Sequence, residues 1–205
     1  MSIKFFAGVL ACALAFPGLV PAPAAEGKKA LLVDQVREAI KNGAQFLRDV
    51  ERGRGNWEVD KTSITVKGGW SCLAMLALLN SGEVRLDDPI IERGLEYLRQ
   101  IEPEKTYEVG LQTMVFAEAG RIQDRERIQR NVNWLIDAMV KRNGQCRGWT
   151  YVKAERSMAA HPMSDNSNTQ YALLGLHAGK QAGAKIDREV WRQIRQYYID
   201  TQQRH

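Results

Sequence analysis

The densest group of chemically capable residues is Asp165-Asn166-Ser167-Asn168-Thr169, one carboxylate among two amides and two hydroxyls at the start of an apolar stretch. Asp165 and Asn168 can cap a helix by accepting its free amides, and the same residues can face a pocket; the two roles are compatible. Trp70, Tyr107, Glu108, Gln112 and Gln170 stand at or near the starts of comparable apolar stretches. Together the seven are ligand-pocket candidates, since aromatic walls with a few polar groups suit an apolar or sugar-like ligand. Acid catalysis needs a desolvated carboxyl whose neighbours hold its proton at high energy. Amides and hydroxyls around Asp165 do not supply that, and no catalytic residue is assigned.

The inventory of nucleophiles and metal ligands is thin. Beyond residue 24 there are two cysteines, Cys72 and Cys146, and none of His161, His177 and His205 has a short spacing to either. No zinc set follows from such spacings, and neither a metal nor a cofactor is expected. His161, next to Pro162, reads as a loop residue, and His177, late on an apolar stretch, as a packed or helix-capping histidine. Cys72, beside Trp70 and Leu73, reads as a buried thiol, while an oxidising compartment leaves a Cys72–Cys146 disulfide open.

The elements that would position these groups come from a repeated frame: an apolar residue, a small or apolar one three further on, then an aromatic and its neighbour at six and seven. It reads Ile40, Gly43, Phe46, Leu47 and again Ile91, Gly94, Tyr97, Leu98. Weaker copies are Ile128, Asn131, Trp134, Leu135 and Trp191, Ile194, Tyr197, Tyr198. More uniformly apolar helices follow three of them, over 70–82, 110–120 and 169–179, each stopping at a glycine. Asp34, Asp88 with Pro89 at the next position, and Asp187 open frame helices. The prediction is an all-α chain of stacked helix pairs, with long Gly-, Arg- and Asn-rich loops at 53–67 and 144–165.

Residues 1–24 read as a signal peptide: Lys4 at the positive start, an apolar run over 5–20, and Ala22 with Ala24 as a small-x-small cleavage pattern. The run is too short and interrupted for a spanning helix. Val9-Leu10-Ala11-Cys12 resembles a lipobox with Cys12 acylated, but the apolar run continues past Cys12 instead of turning polar. An exported, periplasmic bacterial protein is therefore expected. Lys4 is the one charged residue of this segment, so the formal charge of +5 falls to +4 without it. The remaining bases alternate with acids along the helices, a solvated-face pattern that gives no footprint for nucleic acid.

The frame extends into a longer pattern. Gly43, Phe46 and Leu47 are followed by Glu51, Gly55 and Trp57; Arg93, Gly94, Tyr97 and Leu98 by Glu102; Arg130, Trp134 and Leu135 by Gly148, Trp149 and Tyr151; Tyr197 and Tyr198 by Gln202. Over 33–202 this resembles the repeats of squalene-cyclase-type terpenoid cyclases and, through them, the protein prenyltransferases. The resemblance implies an alpha-alpha toroid over 33–203, with inner and outer helical layers, here as an incomplete ring. It gives Gly55, Trp57, Gly148, Trp149 and Gln202 a structural role, tying one helix end to the next. The cyclases' acid motif, Asp-x-Asp-Asp-Thr, matches Asp165 to Thr169 with the first Asp and the Thr kept and the middle carboxylates replaced by Ser167 and Asn168. No Asp, Cys and His set like that of the prenyltransferase zinc site can be assembled.

Two functions follow as expectations. One is a non-catalytic exported module that binds a protein partner or an apolar or glycan-like small ligand, with self-association through an open C-terminal edge. The alternative is a cyclase- or prenyltransferase-like enzyme whose catalytic acid or metal set is missing from this chain. Fold alone does not decide between them.

Overall fold

Capping residues written into the sequence start the later helices. Asp88 accepts the Ile90 amide at 2.9 Å, Asp165 the Asn168 amide at 2.8 Å and Asp187 the Glu189 amide at 2.7 Å. In the computed structural model, which describes residues 24–58, 67–153 and 163–202, the helices are α1 (Ala24–Asp49), α2 (Gly69–Asn80), α3 (Pro89–Arg99), α4 (Thr106–Ala119), α5 (Arg125–Asp137), α6 (Asn166–Gln181) and α7 (Arg188–Thr201). A 3-10 turn, Ile122–Asp124, leads into α5. The described residues are thus mainly helical, as the periodicity predicted. The signal-peptide residues before Ala24, with Cys12, lie outside the described residues, as do His161 and His205. None of the described helices is long and apolar enough to cross a membrane.

Three departures from the sequence reading are local; in one, α6 runs through Gly179, expected as its end, to Gln181, and the glycine at positive φ is Gly183. The first helix already covers the residues from Ala24 to Asp34, ahead of the start expected at Asp34, and Asp34 is one of its exposed residues, 3.7 Å from Arg37. Another is a small hairpin at 141–146, which straddles the start of the predicted 144–165 loop region. Strands β1 (Lys141–Arg142) and β2 (Gln145–Cys146) pair antiparallel around Asn143 and Gly144, both at positive φ, the turn geometry that matches strand twist.

The chain divides into two units, Met1–Glu38 and Ala39–His205. In the first, the described residues form the helical stretch 24–38, on which Leu31, Leu32, Val33 and Val36 are exposed. The second holds the core. The apolar helices α2, α4 and α6 lie side by side with α4 between the other two, α3 packs on α2, and α5 packs on α4 and α6. α4 and α6 approach so closely that a Cβ added at Gly110 would lie 2.5 Å from the Tyr171 carbonyl oxygen, and one at Gly175 would lie 2.7 Å from the Gly110 Cα. No other side chain fits at such a crossing.

Burial of the repeated frame follows its neighbours. Ile91, Gly94 and Leu98 of α3 are buried, as are Ile128, Asn131 and Leu135 of α5. In α1 the frame residues Ile40, Gly43 and Phe46 are exposed, and in α7 only Ile194 is buried. Copies of one frame, strong and weak alike, are thus buried to different extents according to what packs on each helix.

Candidate functional site

The two sequence-predicted tryptophan pairs form matching local structures. The indole N–H of Trp57 donates to the Leu47 carbonyl at 2.7 Å, and its backbone N–H to the Ser71 hydroxyl at 3.1 Å. The indole of Trp149 donates to the Leu135 carbonyl at 2.7 Å, and its backbone N–H to the Thr169 hydroxyl at 3.0 Å. Each tryptophan thus satisfies an orphan carbonyl at the end of a frame helix and docks on the first turn of the next apolar helix. Gly55 is held by its N–H donating to Glu51 Oε1 at 2.6 Å, at φ +74°, and a Cβ there would overlap the Arg93 backbone. Gly148 similarly turns at φ +88° ahead of Trp149. Gln202 follows α7 and is exposed, its backbone N–H donating to the Tyr198 carbonyl at 3.0 Å.

In the second repeat the place of the tryptophan is taken by Gln112. Its Nε2 donates to the carbonyls of Leu98 and Ile101 at 3.1 and 3.0 Å, and its Oε1 accepts from Asn131 at 2.9 Å. With every polar atom engaged and the side chain buried, Gln112 ties α3, α4 and α5 together and is not presented to a ligand. The one polar residue of the third frame, Asn131, is thereby accounted for.

The remaining pocket candidates fall in three places. Tyr107 and Glu108 stand at the start of α4. Glu108 is buried; its Oε2 accepts the Glu104 and Lys105 amides, both at 3.2 Å, and its Oε1 the Lys67 amide at 3.1 Å. That is a capping role, since it satisfies amides that the first turn leaves free. Tyr107 sits tilted against Tyr171, ring centres 6.5 Å apart, and its hydroxyl reaches Glu108 Oε1 at 3.5 Å. Burial first, and then the Glu108 charge, pushes its phenol up to about 12.

Sequence reasoning missed the companion of this corner, Glu58. Its Oε1 accepts from the Ser71 amide at 3.2 Å and the Ser71 hydroxyl at 2.9 Å, while its Oε2 is enclosed without a partner. No periodic signal marks it, because it follows Trp57 in a loop and its partner lies 13 residues away. Cys72 is buried and free beside these acids, as Cys146 is buried and free in β2. Burial first, and the Glu58 and Glu108 charges next, raise the Cys72 thiol far above its usual range. It is held as the neutral thiol and not as a nucleophile.

The second place is the start of α6. The carboxylate of Asp165 accepts the Ser167 hydroxyl at 2.6 Å, the Asn168 amide at 2.8 Å and Asn168 Nδ2 at 2.8 Å. Burial raises its pKa, but these bonds outweigh burial and the net value is lowered. A carboxyl held ionised by three donors is the reverse of a strong proton donor. Asn168 is 2% exposed with its Oδ1 unpartnered. Gln170 is exposed and borders, with Tyr198 and Ile199 of α7, a hollow of about 960 Å³.

The third place holds Trp70. Although it heads α2 as the periodicity predicts, Trp70 is 48% exposed and lines a groove of about 510 Å³ with Phe46, Leu47, Val50, Trp57, Leu73 and Ala77, where Arg52 is the one charged residue. Trp70 and Gln170 thus line separate hollows, and Gln112 and Glu108 are spent on the scaffold. No group of three or more His, Cys, Asp or Glu among the described residues is placed to hold a metal ion. No family model, curated protein or solved structure matches this chain.

Proposed function

We propose that this is an exported, non-catalytic helical repeat protein of the alpha-alpha toroid type, and that it binds an apolar surface in the groove between α1 and α2. The alternation of frame helices with the row α2, α4, α6, and the identical hydrogen bonds of Trp57 and Trp149, support the kinship with cyclase and prenyltransferase repeats. The observation that carries the binding reading is the groove itself. Phe46, Trp70 and Leu73 are large apolar side chains exposed together on one concave face, and exposed apolar patches of this kind mark binding surfaces. Its lining favours an apolar occupant over a glycan, because Arg52 is its one charged group. Against catalysis stand the bonded, ionised Asp165 and the neutral Cys72.

Titration with N-phenyl-1-naphthylamine, an uncharged apolar fluorophore, tests this reading. Saturable binding that Trp70→Ala weakens by tenfold or more is expected; non-saturable binding, or binding untouched by the substitution, counts against it.

A second reading, an enzyme acting on an isoprenoid-like substrate, has one observation in its favour: the enclosed, unpartnered Oε2 of Glu58 beside Tyr107 and Cys72. Turnover of such a substrate that vanishes in Glu58→Gln or in Asp165→Asn would establish it and sink the non-catalytic proposal.

A further inference from the structure

We infer that the partner in the α1–α2 groove is a second copy of this chain, seated head to tail through its α6–α7 edge. This names the occupant of the groove and so rests on the binding reading above.

The register of α2 against α6 is set by their shared bond to the stapling tryptophans, which makes Ser71 equivalent to Thr169. Ala74 then matches Ala172 and Leu78 matches Leu176, and all four are buried. Leu73 matches Tyr171 and Ala77 matches Gly175, and here the two helices part company. Tyr171 and Gly175 are the positions with which α6 meets Gly110 of the preceding apolar helix. Leu73 is 44% exposed and Ala77 is exposed, both lining the groove. α2 therefore carries the contact face of an apolar helix that has a predecessor, and within the chain nothing described occupies it.

The surface that fits such a face is the following side of another repeat, and the chain presents one. On α6, Gln170 and Leu174 lie one turn apart on one face; Leu174 is 39% exposed, and Tyr198 and Ile199 of α7 are exposed beside the same hollow. Phe46 and Trp70 are exposed apolar side chains of the groove, and Tyr198 and Ile199 are the exposed apolar side chains of the α6–α7 edge. The pairing also repairs the frame: Phe46 of α1 and Tyr198 of α7 are the exposed counterparts of Tyr97, which is half-buried, and Leu135, which is buried. Groove-to-groove pairing would bury the α2 face and leave the α6–α7 edge bare. A head-to-tail contact of this kind closes into a ring when its rotation permits.

Sedimentation of wild type, Leu73→Asp and Leu174→Asp, alone and mixed, tests the inference. Both residues are exposed, so unchanged circular dichroism melts are expected for the variants. Wild type should form a discrete oligomer, and each variant should associate about a hundredfold more weakly. An equimolar mixture should recover a one-to-one heterodimer, because it retains one intact groove and one intact edge. Oligomers that survive Leu174→Asp but not Leu73→Asp mean groove-to-groove pairing and overturn the inference, as does a mixture that stays monomeric. A monomeric wild type whose groove still takes the naphthylamine in a Trp70-dependent way overturns it and leaves the binding reading standing. A monomeric wild type whose Trp70 is shielded from acrylamide assigns the groove to the chain's own residues and also overturns it. Recovery in the mixture, with no probe bound by monomeric Leu174→Asp, supports self-assembly and removes the small-ligand reading.

Discussion

Trp57 and Trp149 make the same two hydrogen bonds, to a frame leucine carbonyl and to a hydroxyl on the next apolar helix, yet they stand in different surroundings. Trp149 is fully enclosed, and its carbonyl accepts the Asp165 amide at 2.9 Å. Trp57 has on one side a groove walled by exposed side chains. The motif therefore specifies a local staple wherever it occurs, whereas burial of the residues around that staple depends on whether a further repeat lies alongside. The two acids that anchor frame helices differ in the same way. Asp124 is buried and meets Arg99 through two 2.9 Å bonds in the middle of the array. Asp88 is partly exposed and meets Arg48 of α1 at 2.7 Å near the open side.

The largest expected effect falls on the covered staple. Trp149→Ala should cost about 3–5 kcal/mol in urea denaturation, and Trp57→Ala less, because water can enter the groove beside the vacated volume. Equal losses would break the comparison. Asp124→Ala should follow at about 3 kcal/mol, since it leaves the largely buried Arg99 guanidinium with only the exposed Glu96 carboxylate, 3.2 Å away; a change below 1 kcal/mol would mean that Glu96 suffices to hold Arg99.

At the register position shared by the two apolar helices, Gly175→Ala should destabilise by about 1–3 kcal/mol through overlap with Gly110 and Leu135. The reciprocal Ala77→Gly at an open helix face should cost only about 1 kcal/mol, from helix propensity. In a head-to-tail oligomer the Ala77 change would in addition shift the association constant, which sharpens the comparison further.

The smallest effect is pH-dependent. The Arg48 guanidinium, followed by the Ile90 amide, holds the Asp88 carboxyl below its usual value. A group whose folded pKa is lowered contributes stability above its unfolded pKa, near 4, and loses it as pH falls through the folded value. Asp88→Asn keeps a helix cap but loses the ion pair. It should therefore cost about 0.5–1 kcal/mol at neutral pH and show a flatter acid limb than wild type. An unchanged acid limb would exclude Asp88 from acid unfolding.

Much of the helical scaffold was legible in the residues. Asp88, Asp165 and Asp187 cap helices because their bonds reach only two or three residues along the chain, and the frame at Ile91 and Ile128 predicted buried faces from spacing alone. The hairpin at 141–146 carried one signal, Asn143-Gly144, but two-residue strands are too short to show a period. The start of α1 was misplaced at Asp34 because a favourable capping residue does not oblige a helix to begin there. The candidate site was legible only as a set of residue types. Gln112 was expected at a ligand and instead binds two carbonyls 11 and 14 residues away. Glu58 gave no signal because its meaning lies in Ser71. The sequence by itself determined the helices, their caps and the tryptophan staples, all of which rest on short-range hydrogen bonds and periodicity. Only the tertiary structure decided which copies of one frame are covered, since burial is a property of neighbours, and it left Leu73 and Ala77 exposed on a helix whose counterpart, α6, turns the same positions, Tyr171 and Gly175, toward α4.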